Sequence, residues 1–223
     1  MNVSSAVKSR HSVRAFTSQK VTRNQLESIL EKARWTPSGG NLQPWWIHVV
    51  GGDKLQELMN DVATKLPKSP MGEGGDYNVY PPKLKEPYRT RRYQCGEDLY
   101  RSIGIEREDK MGRMHQFANN FRCFGASTAM FFTIDRSMEQ GQWSDLGMLI
   151  QTIMLLAREE GLHTCAQESW STWSPTLTRF LNIPEEQMVF CGLAIGYKDE
   201  GAAINDWRTQ RAPLSEVVSW QGI

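Results

Sequence analysis

Asp145-Leu146-Gly147-Met148-Leu149-Ile150-Gln151-Thr152-Ile153-Met154-Leu155-Leu156-Ala157-Arg158-Glu159-Glu160 places large apolar side chains on nearly every face of a helix. A helix of that kind has to be buried. Gly161 follows as the residue that closes it in a left-handed conformation. The apolar run from Leu146 to Ala157 is twelve residues long, too short to cross a bilayer. Protein must therefore surround it. In a chain of 223 residues one core does not cover every face, so the sequence predicts a second copy packed against this helix.

Strands and helices alternate on either side. Trp45 to Val50 and Ser127 to Asp135 read as strands from their β-branched and aromatic content. Val189 to Tyr197 reads as a buried strand and His163 to Glu168 as a short one. Thr22-x-x-Gln25 fits a capping box, followed by Leu26, Ile29, Leu30 and Ala33 at helical spacing, with Pro37 as a stop. Asp53 is the expected cap of a helix whose apolar face is Leu55, Leu58, Met59, Val62 and Leu66. Ser174-Pro175 has the cap and first-turn chemistry of another helix start. From Pro67 to about Glu108, prolines, glycines and tyrosines interrupt every period, which predicts a long irregular excursion over a site or a partner. No linker or repeat divides the chain, so residues 1–223 are expected to form one domain.

Composition narrows the function. Lys and Arg number 26 against 25 Asp and Glu, a net charge of +1, which argues against a nucleic-acid binder. Four cysteines (95, 123, 165, 191) and four histidines (11, 48, 115, 163) form neither a CxxC nor an HxxxH pair, so no metal site is expected. The first twenty residues lack an apolar signal core, and the chain is read as cytoplasmic, with no membrane partner.

The near-neutral balance hides local excess. Residues 1–35 hold seven Lys and Arg against two acids. Within them Arg10-His11-Ser12-Val13-Arg14 sets two guanidiniums four residues apart with a hydroxyl between, a donor set suited to phosphate. Pro37-Ser38-Gly39-Gly40-Asn41-Leu42-Gln43-Pro44-Trp45 links a helix to a strand. Its glycines allow close backbone approach, and Ser, Asn and Gln can address a polar ring. Asn205-Asp206-Trp207-Arg208-Thr209-Gln210-Arg211-Ala212-Pro213 adds a second Arg pair. Singly, each also reads as a solvated surface or a plain turn.

Together, with the helix around Asp145-Leu146-Gly147-Met148 and the strand Cys191-Gly192-Leu193-Ala194-Ile195-Gly196-Tyr197, these motifs resemble the FMN-dependent nitroreductase family. The resemblance runs in family order from about residue 5 to the end, and is strongest to the nitrobenzoate and nitroaromatic reductases. It implies an α+β nitroreductase-like fold: a mixed, mostly antiparallel central sheet flanked by helices, built as an intertwined homodimer with FMN at the interface.

The resemblance also implies residue roles. Arg10, His11, Ser12, Arg208 and Arg211 would lie at the FMN phosphate end, and Arg14 would stabilise negative charge on the flavin. Pro37, Ser38, Gly39, Gly40 and Asn41 of the other subunit would line the ring, with Gln43 as a further cofactor-binding candidate. Ala166, Gln167, Glu168 and Ser169 would run beside its reactive edge. Gly39 stands where many relatives have Ser. No protein nucleophile is implied; NADH or NADPH would supply hydride in a ping-pong, two-electron cycle ending on a nitroaromatic or quinone.

Trp46, Arg89, Arg91, Tyr93, Asn120 and Phe124 are the candidates for an aromatic-substrate pocket partly formed by residues 67–113. The basic excess in 83–113 (nine Lys and Arg, six acids) suggests a carboxylate on that substrate. Reductive dehalogenation, with Glu97 and Tyr100 in a lid, is the second enzymatic reading. A flavin-free protein gripping a phosphate ligand or nucleic acid is the reading from another class.

Overall fold

The β-branched runs pair into one sheet. A computed structural model describes all residues 1–223. In it β1 (Trp45–Gly51), β2 (Thr128–Asp135), β3 (His163–Gln167) and β4 (Gln187–Gly196) lie in the order β1-β2-β4-β3. Every strand pair is antiparallel, with Val49 opposite Met130, Met130 opposite Leu193 and Cys165 opposite Ala194. Parallel pairing is limited to isolated bridges, Ser12 with Thr164 on β3 and Gly74 with Trp173.

The central strands β2 and β4 are continuous apolar runs because helices cover both their faces. Side chains alternate across β2. Phe131 enters a core with Leu55, Leu58, Val62, Trp170 and Trp173. Met130 and Phe132 enter the opposite core with Ile29, Leu146, Leu149 and Ile153. The first core is roofed by α3 (Gly52–Lys65) and α7 (Ser174–Leu181), the second by α2 (Arg23–Ala33) and α6 (Gln140–Glu159).

The capping box forms as expected: Thr22 Oγ1 accepts from the Gln25 N–H, and Gln25 Oε1 accepts from the Thr22 N–H at 3.1 Å. Helix α2 ends at Ala33, ahead of Pro37. Asp53 is not the cap of α3. The helix starts two residues earlier than an Asp53 cap would set it, with Gly51 at the cap position, and Asp53 sits in its first turn, where a negative charge still suits the helix end. Ser174 does not cap α7 either; its Oγ donates to Asp76 Oδ2 at 2.8 Å.

Helix α6 begins five residues before Asp145, where the Gln142 side chain folds back to accept from the Glu139 N–H at 3.3 Å. Leu146, Leu149, Ile150, Ile153 and Ala157 are buried within the chain, whereas Met148 remains 41% exposed. The chain therefore buries one face of this helix and leaves Met148 open on another.

The segment from Pro67 is less irregular than its sequence predicts. It holds α4 (Tyr88–Ser102) and α5 (Lys110–Ala118), following a short α1 (Val3–Ser9) at the amino end that the sequence reading also passes over. α4 buries none of its side chains, so it carries no apolar stripe to read. Polar contacts hold it instead. Arg113 forms a two-pronged pair with Glu97 at 2.7 and 3.0 Å, and the Arg113 guanidinium covers the Tyr100 ring. No helix of the chain is long and apolar enough to cross a membrane.

Candidate functional site

Two ends of the chain meet at the outer edge of β3. The bridge from Ser12 to Thr164 and the bond from Val13 N–H to the Thr164 carbonyl (3.1 Å) dock residues 10–14 there. From the carboxyl side, the buried Asn205 clamps the same strip. Its Oδ1 accepts from the Arg14 N–H at 2.8 Å, and its Nδ2 donates to the carbonyls of Ala15 (2.8 Å) and Asp199 (2.9 Å). Arg208 then donates to the Lys8 carbonyl at 3.0 Å, at the end of α1.

The result is a polar cavity of about 100 Å³ lined by Arg10, His11, Ser12, Arg14, Trp207, Arg208, Thr209 and Arg211. None of its four guanidiniums has a carboxylate within 4.0 Å. Burial, then the facing charges of Arg211 and Arg208, push the Arg10 pKa below its ordinary value. Burial likewise lowers the pKa of His11, whose Nδ1 lies 3.0 Å from the Ser9 carbonyl. Concentrated positive charge without a protein counter-ion is an anion site.

The cradle continues along β3. Burial raises the Cys165 thiol pKa, opposed by the charges of Arg14 and Arg10 and by Ser12. Beyond the Ser12 bridge no strand pairs with this edge. Ala166 and Glu168 are exposed there, while Thr164 Oγ1, Gln167 Oε1 and Ser169 Oγ are buried without a partner. Buried polar atoms normally find partners. The donor set therefore fits a group with a phosphate at one end and a flat polar ring at the other, the chemistry of a flavin mononucleotide.

The structure does not bring every predicted residue to this place. Ser38 to Gln43 form an exposed turn in which Gly40, Asn41 and Gln43 take positive φ. It is anchored to α6 through the Gly39 N–H, which donates to the buried Asp145 carboxylate at 3.1 Å. No hydrogen bond links it to the Arg cradle. Trp46 stands 59% exposed on β1, at the sheet edge opposite β3. Three strand spacings, roughly 14 Å, separate those edges.

Among the substrate candidates, Asn120 does reach β3: its carbonyl accepts from Gln167 Nε2 at 2.6 Å. Phe124 is a buried core side chain with φ 53° and offers no ring to a substrate. Arg89 pairs with Glu86 (2.7 Å) and Arg91 with Glu216 (2.8 Å), so neither guanidinium stands free for a substrate carboxylate. Tyr93 is covered by the Arg107 guanidinium. Glu97 and Tyr100, the lid residues of the dehalogenase reading, are both engaged by Arg113. The sequence reading names neither Asn205 nor Asp145 as a site residue. Their signal is weak, since a lone Asn before Trp207-Arg208 reads as a turn residue and a lone Asp in an apolar helix as a solvent-facing one.

An α+β domain with an unneutralised guanidinium cradle at a sheet edge is a binding domain for an anionic cofactor. The sequence profile of the nitroreductase family matches residues 7–197. The chain is 36% identical over 219 residues to a 4-nitrobenzoate reductase of Pseudomonas putida, covering 97% of this chain and 94% of that one. It is 33% identical to a chloronitrobenzene nitroreductase of Comamonas testosteroni, covering 96% and 94%. The crystal structure of the FMN- and NADPH-dependent nitroreductase NfnB from Sphigopyxis sp. strain HMH superposes with a TM-score of 0.97 over all of both chains, at 43% identity. The chain belongs to the nitroreductase family.

Proposed function

We propose that residues 1–223 form one FMN-binding unit of an NAD(P)H oxidoreductase that reduces nitroaromatic compounds, with quinones as alternative oxidants. The observation that carries this reading is the gathering of Arg10, Arg14, Arg208 and Arg211, without carboxylates, beside unpartnered polar groups of β3. The names of the similar proteins, nitrobenzoate and chloronitrobenzene reductases among them, support the substrate class.

When bound, FMN would supply the two-electron hydride chemistry between a nicotinamide and the oxidant, so no protein nucleophile is needed. The chain's own task is binding and electrostatics. Arg10 and Arg211 would grip the phosphate, with Ser12 as a neutral donor, and Arg208 would hold the strap at 207–211 against α1. Arg14, fixed through its backbone by Asn205, would bring positive charge to the ring. Gln167 and Ser169 have open valences for ring heteroatoms. The turn at 38–43 and Trp46 would come from a second copy docked on the open face of α6, giving a homodimer with composite sites. Four free thiols, three of them buried, suit a reducing compartment such as the cytoplasm.

The test is direct. Purified protein is examined for flavin absorbance, then assayed without oxygen for NADH and NADPH oxidation with 4-nitrobenzoate and with nitrobenzene. One FMN per chain and turnover of a nitroarene are expected. A colourless protein that does not take up FMN refutes the reading.

A further inference from the structure

Residues of α3 and α5 line a cavity of about 370 Å³ beside the first core. That volume lies within the ordinary range for small-molecule pockets. Its walls include Val62 of α3, Leu66 at the end of that helix and Phe117 of α5, with Phe121 beneath them. Phe121 is fixed there by edge-to-face contacts with Trp170 (5.6 Å) and Trp173 (5.6 Å). The floor is thus a rigid aromatic surface on a fully buried tryptophan pair. Rigid aromatic walls favour a flat apolar occupant.

Two polar residues line this otherwise apolar space, His115 and Arg122. Arg122 is alone among the arginines between 89 and 122. Arg89, Arg91, Arg101 and Arg113 each pair with a carboxylate, and Arg92 and Arg107 lie over the rings of Tyr80 and Tyr93. Arg122 makes no ion pair, hydrogen bond or ring contact, and it opens on the pocket. An exposed guanidinium beside an apolar cavity matches an apolar body with one acidic group.

We infer that the α3–α5 cavity binds a one- or two-ring aromatic acid, with the ring on Phe117 and Phe121 and the acid on Arg122. The site shares no lining residue with the Arg cradle or with residues 165–169. It is tied to that region through the neighbouring Asn120, whose carbonyl accepts from Gln167, and through Phe121, which packs on Trp170. The inference does not rest on the activity proposed above, because it needs only the cavity and its free guanidinium.

The test is calorimetric titration of the purified chain, saturated with FMN where it takes it up. The probes are 2-naphthoate and its neutral counterpart 2-naphthylmethanol. Saturable binding of one naphthoate per chain is expected, with little change in the flavin visible spectrum. Arg122→Gln should weaken naphthoate about tenfold and leave the alcohol unchanged, as loss of a charge-assisted contact requires. Ala63→Phe, which fills the space between the helices, should abolish both. If that variant melts early, Ala118→Leu serves the same purpose. Absence of saturable heat overturns the proposal, as does naphthoate binding that both variants leave intact. Binding that the variants leave intact and that shifts the flavin spectrum would place the acid over the flavin and overturns it equally. Failure of FMN uptake bears only on the proposed activity, since the naphthoate titration reads out either way.

Discussion

Gly192→Ala tests the packing that sets the β3 edge. Gly192 lies in β4, opposite Phe131 of β2 and Gln167 of β3. A Cβ there would stand 2.5 Å from Trp170 Cδ1 and 3.0 Å from Cγ. Carbon atoms prefer about 3.5–4.0 Å, so the indole must retreat by roughly 1 Å. It has no room to do so. Trp170 is fully buried, with Phe131 at 5.1 Å and Phe121 at 5.6 Å between ring centres. Overpacking of this kind costs about 1–3 kcal/mol. For a chain of this length that is a fall in Tm of roughly 3–10 °C. Trp170 also directly follows Ser169 and lies three residues after Gln167, so its displacement should weaken FMN binding along with the fold.

The assay is urea and thermal unfolding at fixed protein concentration, with Trp170→Leu as a second background. Removing the indole frees the space, so Gly192→Ala should cost less than about 0.5 kcal/mol there, a strong coupling in the double-mutant cycle. A melting temperature unchanged within about 1 °C would refute the reasoning. So would an equal cost in both backgrounds, because the clash would then not be with Trp170.

Three further outcomes are expected. Arg10→Gln or Arg211→Gln should lower FMN affinity about 10- to 100-fold, the scale of a lost charged hydrogen bond, as measured by equilibrium fluorescence of free flavin; wild-type affinity would remove that residue from the cradle. Asn205→Ala should destabilise by about 2–3 kcal/mol in urea, since it strands the Arg14 N–H and two carbonyls; a change below about 0.5 kcal/mol would mean that water replaces the clamp. Stability should fall on acidification between about pH 6.5 and pH 4, because burial lowers the His163 pKa to about 4 and shifts His11 the same way. In that window the unfolded chain takes up protons that the folded one refuses. His163→Gln should flatten the melting curve against pH, and an unaltered slope would assign the loss to other groups.

Legibility in the sequence follows from how local each cause is. The capping box of Thr22 and Gln25 spans four residues and is visible directly. β2 and β4 are visible because burial on both faces makes them uninterrupted apolar runs. Asp53 misleads because a capping residue type sits near a helix start where a glycine already makes the turn. α4 is invisible to periodicity for the opposite reason: nothing along it is buried, and its hold comes from Arg113 on Glu97 and Tyr100, a contact across more than ten residues. The cradle is readable only as separate Arg pairs, since nothing local joins residues 10–14 to 208–211. The family resemblance joins them, and Asn205 does so physically.

The same clamp separates the roles of the four arginines. A cluster of guanidiniums without carboxylates repels itself, so it weakens the ligand-free fold and strengthens the complex with an anion. Arg208 is partly compensated, because it donates to carbonyls at the carboxyl end of α1, where the helix carries partial negative charge. Arg10 has no such partner and faces Arg211 and Arg208 across the cavity. Removing Arg10 should therefore stabilise the FMN-free chain slightly while it impairs FMN binding. Removing Arg208 should destabilise both states, because it frees the carboxyl-terminal strap from the first helix. A net charge of +1 conceals this division. Twelve of the 26 Lys and Arg side chains are paired with carboxylates, whereas the four guanidiniums gathered in the cradle have none and are left to an anionic ligand.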